Sequence, residues 1–196
     1  MAFFAAEAAW TEIPPAPGRI VDVGGSKRHI HCSGSGSPAV ILEPGFPGSS
    51  LDWTSVQPAI AKFTRVCSYD RAGFGWSDLH ESPRSAVQIA GELHLLLSNA
   101  AVPGPCVLAG HSMGSLYSRA FVRKFSEAVT GLALVDATHE DQWTFEPRRY
   151  WRFDRRGNPV TNGAPWERER QSANAQATVR AAYQATAKKS SGPCDG

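Results

Sequence analysis

The fold is decided by residues 106–125, which read CVLAGHSMGSLYSRAFVRKF. The apolar run Cys106–Ala109 is typical of a buried strand, and apolar positions after Gly114 recur at helical spacing. Between them, the segment GHSMG matches the pattern G-x-S-x-G, in which a serine occupies a sharp turn from strand to helix. The two glycines let strand and helix pack closely around that turn. The stretch therefore predicts that the hydroxyl of Ser112 projects from such a turn.

Outward from this stretch, short apolar strands alternate with helical patterns. The predicted strands are Arg19–Val23, Lys27–Cys32, Ala39–Glu43, Thr64–Tyr69, Cys106–Ala109 and Gly131–Val135. The predicted helices are residues 50–63, 85–100 and 113–125, and the first of them contains Pro58. The pair Gly24-Gly25 indicates a hairpin between the first two strands. The later alternation of strand and helix implies a mostly parallel sheet with helices on both faces, so we predict the α/β fold class.

Three further motifs accompany the serine turn in a fixed order along the chain. They are Leu42–Ser50 (LEPGFPGSS), Tyr69–Asp78 (YDRAGFGWSD) and Leu134–Asp136 (LVD). Together with GHSMG, they make residues 18–143 resemble the α/β-hydrolase superfamily, in its serine-nucleophile, esterase-like branch. The resemblance implies the α/β-hydrolase fold for this region.

The resemblance also implies roles for individual residues. Ser112 corresponds to the nucleophile, and the backbone N–H of Met113 corresponds to one donor of the oxyanion hole. The backbone N–H of Phe46 corresponds to the second donor. Many relatives carry His-Gly at the oxyanion turn, whereas this chain has Glu43-Pro44-Gly45 there. Because both donors are backbone groups, we expect the hole to persist, and the role of Glu43 stays open at this point.

A serine at the strand-to-helix turn, known as the nucleophile elbow, narrows the class of reaction that the chain could catalyse. Epoxide hydrolases and haloalkane dehalogenases of this fold use an aspartate there, whereas a serine points to acyl transfer through an acyl-enzyme. Esters, thioesters, lactones and small amides all fit this chemistry, and ester hydrolysis is the leading prediction. The expected partner is a small-molecule acyl substrate, and no cofactor or metal is expected.

The acid and the base of a catalytic triad are not evident in the sequence. In the family the chain order is serine, acid, histidine, yet no histidine follows His139 and no apolar strand pattern follows Asp136. We expect the chain to end partway into the cap insertion, truncated before the last two strands. His139, oriented by Asp136 or Asp141, is a disfavoured substitute for the base, and the side chain of His111 is expected to point away from the reacting face.

Charge is distributed unevenly over the 196 residues, whose formal net charge is +2. Residues 1–146 hold 10 Lys and Arg against 14 Asp and Glu, whereas residues 147–196 hold 10 against 4. A basic tail can indicate a nucleic-acid arm, but this one is poor in apolar residues and we do not expect it to bind nucleic acid. We divide the chain into an N-terminal extension (1–17), a partial hydrolase core (18–143) and a partial cap or poorly ordered basic tail (144–196).

The four cysteines, at positions 32, 67, 106 and 194, contain no CxxC pair. Three of them adjoin apolar runs, where a free cysteine packs as a small core residue, so neither a disulfide framework nor a zinc site is predicted. No apolar run approaches the roughly 18 residues of a membrane span, and the first residues lack the basic start of a secretory signal. The chain is therefore predicted to be cytoplasmic and not membrane-bound.

Two hypotheses of function follow from the sequence. The first is a serine hydrolase that acts on an ester-type bond through Ser112. The second is a catalytically incomplete fragment, or a non-enzymatic binding protein, of the same fold. A reactive serine distinguishes the first from the second.

Overall fold

The computed structural model describes residues 14–80 and 84–141, together with residues 180, 181 and 184. Nearly all of the predicted N-terminal extension and the predicted cap or tail lie outside these ranges. Six strands are found in the described part: β1 Arg19–Asp22, β2 Lys27–Ser33, β3 Val40–Glu43, β4 Val66–Tyr69, β5 Cys106–His111 and β6 Val129–Val135. The α-helices there are α1 Gln57–Ile60, α2 Ala86–Asn99 and α3 Gly114–Lys124. In the same ranges, no helix has the length and apolar character needed to cross a membrane.

The six strands form one sheet in the order β1-β2-β4-β3-β5-β6. β1, β2 and β4 pair antiparallel, whereas β4, β3, β5 and β6 run parallel. The prediction of a mostly parallel sheet flanked by helices is therefore confirmed. Since β3 and β5 are adjacent, the loops that follow them meet at the same edge, which is where α/β sheets bind ligands.

Alternation along the strands divides the core into two layers. One layer packs α2 and α3 against Ile41 and Leu108. The other packs Trp53, Val56 and Ile60 against residues such as Val107. Because both faces of the central strands are covered, β3 and β4 are fully buried, which explains why most of their residues are apolar.

The predicted helix over residues 50–63 is interrupted in the structure. A 3-10 turn, Ser50–Trp53, is followed by the separate short helix α1 at Gln57–Ile60. Pro58 lies in the first turn of α1, where its missing N–H does no harm. Further inside a continuous helix, the same proline would remove a hydrogen bond and clash with the preceding turn.

The prediction that Cys32 and Cys67 are free core residues is wrong. The two cysteines are directly opposite each other on the antiparallel strands β2 and β4, and the structure joins them in a disulfide. Only the strand register brings them together, since they are 35 residues apart in sequence. Cys106 is free and buried, as predicted.

Candidate active site

Ser112 lies on the turn between β5 and α3. Its φ angle is +49°, a left-handed conformation that is uncommon for a residue with a side chain. Two neighbouring backbone groups hold this conformation: the Ser112 N–H donates to the Val135 carbonyl at 3.1 Å, and the Thr138 N–H donates to the Ser112 carbonyl at 3.2 Å. Strain of this kind persists only where the surroundings fix it, and it is common at active sites.

The glycines of the GHSMG motif allow three segments to approach one another. If Gly110 were replaced by a residue with a side chain, the added Cβ would lie 2.7 Å from the Ser118 hydroxyl oxygen and 2.8 Å from the Gly114 carbonyl oxygen. A Cβ at Gly114 would lie 2.6 Å from the carbonyl oxygens of both Glu43 and Pro44. The first turn of α3 is therefore packed directly on the backbone of the segment 43–48, which we call the oxyanion loop.

Ser112 and the oxyanion loop line one cavity of about 400 Å³. Its lining consists of Gly45, Phe46, Pro47, Gly48, Ser49, Asp52, His111 and Ser112. In the described part of the chain, the N–H groups of Phe46 and Met113 have no hydrogen-bond acceptor. The cavity therefore brings Ser112 together with the predicted donor residue Phe46, and Met113 follows Ser112 directly.

His111 is among the residues that line this cavity. Its ring is edge-on to Trp53 at 6.4 Å between centroids. A Cβ at Gly45 would lie 3.1 Å from its Nδ1 and 3.3 Å from the Cβ of Ser112, so the imidazole borders the serine across the loop glycine.

His139, the disfavoured substitute base, lies on the surface with other partners. Its Nδ1 accepts a hydrogen bond from the Asp141 N–H at 3.1 Å, and its Nε2 is 3.7 Å from Glu140. Asp136 ends β6 with a φ angle of +44°. Within the described ranges, the Ser112 hydroxyl has no hydrogen bond to any side chain, so the disfavoured pairing of His139 with Ser112 is not formed there.

Two buried ion pairs that the sequence did not predict lie next to the oxyanion loop. In the first, His29 Nδ1 is 2.8 Å from Asp70 Oδ2, and both side chains have no exposed surface. The other ring nitrogen of His29 contacts the Pro17 carbonyl. Because both nitrogens face acceptors, this arrangement favours the doubly protonated imidazolium.

Asp70 connects this pair to the 3-10 turn that follows the oxyanion loop. Its carboxylate also accepts the Ser50 N–H at 2.6 Å and the Trp76 N–H at 3.1 Å. Burial alone would raise the pKa of Asp70, but the bonds from His29 and the two backbone groups outweigh it, so the pKa lies below its usual value. Burial alone would lower the pKa of His29, but Asp70 and the Pro17 carbonyl raise it above its usual value.

The second pair joins Arg71 to Glu43. The Arg71 Nη1 donates to Glu43 Oε1 at 2.6 Å, and the Tyr69 hydroxyl also donates to the Glu43 carboxylate. Burial raises the pKa of Glu43, an effect that Arg71 opposes. Burial alone would lower the pKa of Arg71, but the Glu43 charge outweighs it and the pKa lies above its usual value. A glutamate in an otherwise apolar strand was the sequence signal for this pair.

Comparison with known proteins agrees with this architecture. The family described as alpha/beta hydrolase fold matches residues 38–191. A 2-hydroxy-6-oxo-2,4-heptadienoate hydrolase from Pseudomonas putida is 31% identical over 134 residues, which cover 65% of this chain and 47% of that protein. The curated relatives matched at 31–33% identity are longer, and this chain spans between 17% and 47% of their length.

Two solved structures are similar to this chain in three dimensions. A thermophilic esterase from Thermogutta terrifontis is 27% identical with a TM-score of 0.56, and the match covers 61% of this chain and 45% of the esterase. The epoxide hydrolase CorEH is 26% identical with a TM-score of 0.57, and the match covers 61% of this chain and 41% of that enzyme.

Proposed function

The chain belongs to the α/β-hydrolase fold family, and on that premise we propose that it is a serine hydrolase acting on ester-type bonds of a small substrate. The observation that carries the proposal is the position of Ser112, strained at the elbow and facing the same cavity as Phe46. A volume of about 400 Å³ falls within the range of small-molecule sites.

The proposed reaction proceeds in two steps. The Ser112 Oγ forms a bond to the acyl carbon as its proton passes to a water molecule, the bond from that carbon to the alkoxy oxygen breaks, and the alcohol leaves with a proton from water. Water then cleaves the acyl-enzyme and releases the acid. The negative charge that develops on the carbonyl oxygen is stabilised by the N–H groups of Phe46 and Met113, aided by the N-terminus of α3.

The identity of the nucleophile supports acyl transfer over attack on an epoxide carbon. Epoxide hydrolases of this fold use a carboxylate at the elbow, whereas position 112 holds a hydroxyl. The relative from Pseudomonas putida is a hydrolase by name, and the esterase from Thermogutta terrifontis is named for the bond type proposed here.

The alternative is a non-enzymatic binding protein of the same fold. The observation that favours it is the Ser112 hydroxyl, which has no hydrogen bond to a side chain in the described ranges. A serine without a base is a weak nucleophile. Preorganised donors still contribute about 10²–10³-fold to acyl transfer, so slow Ser112-dependent hydrolysis would distinguish the enzyme from the binding protein.

We expect the purified chain to hydrolyse p-nitrophenyl butyrate faster than buffer does, and Ser112→Ala to reduce the rate to that of the buffer. The matched control is Ser98→Ala, because Ser98 is exposed near the end of α2 and is not among the residues that line the cavity. Ser98→Ala should retain the wild-type rate. Equal rates for wild type and Ser112→Ala, with both proteins folded, would support the binding protein instead.

The compartment is a separate matter from the reaction. The cytoplasmic location stays a prediction. The Cys32–Cys67 disulfide weighs against this prediction, because disulfides persist mainly in oxidising compartments and the cytoplasm is reducing.

A further inference from the structure

The guanidinium of Arg71 is surrounded by backbone carbonyls of the oxyanion loop. Besides its bond to Glu43, Nη1 donates to the Pro44 carbonyl at 2.5 Å. Nη2 donates to the Gly45 carbonyl and, at 3.3 Å, to the Gly48 carbonyl. One side chain, only 2% exposed, thus binds three carbonyls within five residues of loop.

One of those carbonyls belongs to the peptide group that carries a proposed oxyanion donor. The Gly45 carbonyl and the Phe46 N–H are the two ends of a single peptide plane, which is not among the cis bonds of the described chain. In a trans peptide, C=O and N–H point in opposite directions. Arg71 and the Gly48 N–H, the latter at 3.1 Å, both donate to that oxygen, so the Phe46 N–H points away from these two groups, and Phe46 itself lines the cavity that contains Ser112.

The bond from Arg71 also acts on the strength of that donor. A hydrogen bond accepted by a carbonyl polarises the peptide and makes its N–H a stronger donor. The effect is larger when the bond comes from a charged group that is shielded from water. Arg71 therefore acts on the oxyanion indirectly, in two ways. It fixes the direction of the Phe46 N–H, and it increases the partial positive charge on that N–H.

Glu43 makes a buried cation possible at this place. A guanidinium without a counter-charge is costly in a protein interior, and Glu43 Oε1 lies 2.6 Å from it with no exposed surface on the glutamate. The rings of Phe74 and Tyr117 flank the guanidinium at 5.5 Å and 5.1 Å from its central carbon. The carboxylate and the two aromatic faces restrict Arg71 to the orientation that meets the loop carbonyls.

We propose that Arg71 is a positioning residue that aims the Phe46 N–H at the oxyanion, with Glu43 as the counter-charge that keeps it there. The proposal rests on the proposed hydrolase function. It gives Glu43, whose role the sequence left open, a function that does not require contact with substrate.

The test replaces Arg71 with lysine, which retains the charge but cannot reach several carbonyls with one planar group. We expect kcat for p-nitrophenyl butyrate to fall about 10–100-fold, somewhat less than the ~10²–10³-fold cost of deleting an oxyanion donor. KM should stay within about twofold, because only transition-state stabilisation is lost. The matched control is Arg84→Lys, since Arg84 also pairs with a carboxylate, Glu92 at 2.7 Å, but does not contact the loop.

A second readout does not depend on activity. Amide hydrogen exchange of the peptide spanning residues 43–52 should accelerate in Arg71→Lys and stay at the wild-type rate in Arg84→Lys. If wild type shows no Ser112-dependent hydrolysis, the proposed function fails and the exchange comparison still tests the contact between Arg71 and the loop. Three results for Arg71→Lys would each overturn the proposal. They are a kcat equal to that of Arg84→Lys, a raised KM with unchanged kcat, and an unchanged rate of amide exchange in the loop.

Discussion

Replacing Gly114 with alanine is expected to lower the free energy of unfolding by about 3 kcal/mol, at the upper end of the usual range for overpacked sites. The added Cβ would lie 2.6 Å from two carbonyl oxygens, those of Glu43 and Pro44. Neither oxygen can move freely, because the Pro44 carbonyl is bound to Arg71 and Glu43 ends a central strand. Chemical denaturation of the variant measures the loss.

The control for this experiment is Gly91→Ala, a second glycine-to-alanine change inside a helix. A Cβ at Gly91 would meet only the end of the Lys124 side chain, at 3.6 Å. Alanine is the better helix former, so this variant should gain about 0.5–1 kcal/mol. A similar gain in Gly114→Ala would show that α3 does not pack against the oxyanion loop as described.

Replacing Asp70 with alanine is expected to cost about 3–5 kcal/mol at pH 6, the usual loss when one partner of a buried ion pair is removed. The variant leaves His29 without its counter-charge and two backbone N–H groups, of Ser50 and Trp76, without their acceptor. Asp22→Ala is the matched control, because Asp22 is exposed and its carboxylate accepts the turn amides of Gly24 and Gly25. It should lose no more than about 1 kcal/mol.

The same variant predicts a change in pH dependence. The pKa of His29 is raised on folding, so its contribution is complete below about pH 6.5, the unfolded value, and is lost as pH rises through the folded value. The pKa of Asp70 is lowered, so its contribution is lost as pH falls below about 3.8. Wild type and Asp22→Ala should therefore lose stability as pH rises above 6.5, and Asp70→Ala should not. Parallel profiles for all three proteins would contradict the imidazolium assignment of His29.

The strands and the serine turn could be predicted because their signals are local. Each of the six predicted strands is present, with ends shifted by at most two residues. Helix α2 was predicted over residues 85–100, and its start is fixed by a capping box in which Ser85 and Gln88 bond each other's backbone. These features depend on spacing within a few residues, which a single sequence displays directly.

The buried charges and the disulfide could not be predicted because they depend on which strands become neighbours. Glu43 ends β3 and Arg71 lies two residues after the end of β4, and only the β3–β4 pairing places one beside the other. Cys32 and Cys67 likewise meet through the register of β2 against β4. The position of His111 in the cavity wall depends on the approach of the oxyanion loop, which no local pattern specifies. Sequence therefore indicated the nucleophile but not the contacts that hold the groups around it.

The most direct test of a reactive Ser112 is covalent labelling with a fluorophosphonate, mapped by fragment mass spectrometry. Trypsin releases residues 85–119 as one peptide, in which Ser112 is distinguished from the other serines by its fragment ions. We predict a single phosphonyl adduct on Ser112 of the folded chain and none on Ser112→Ala. A folded wild-type protein that stays unlabelled, or is labelled at another residue, would contradict the assignment of Ser112 as the nucleophile.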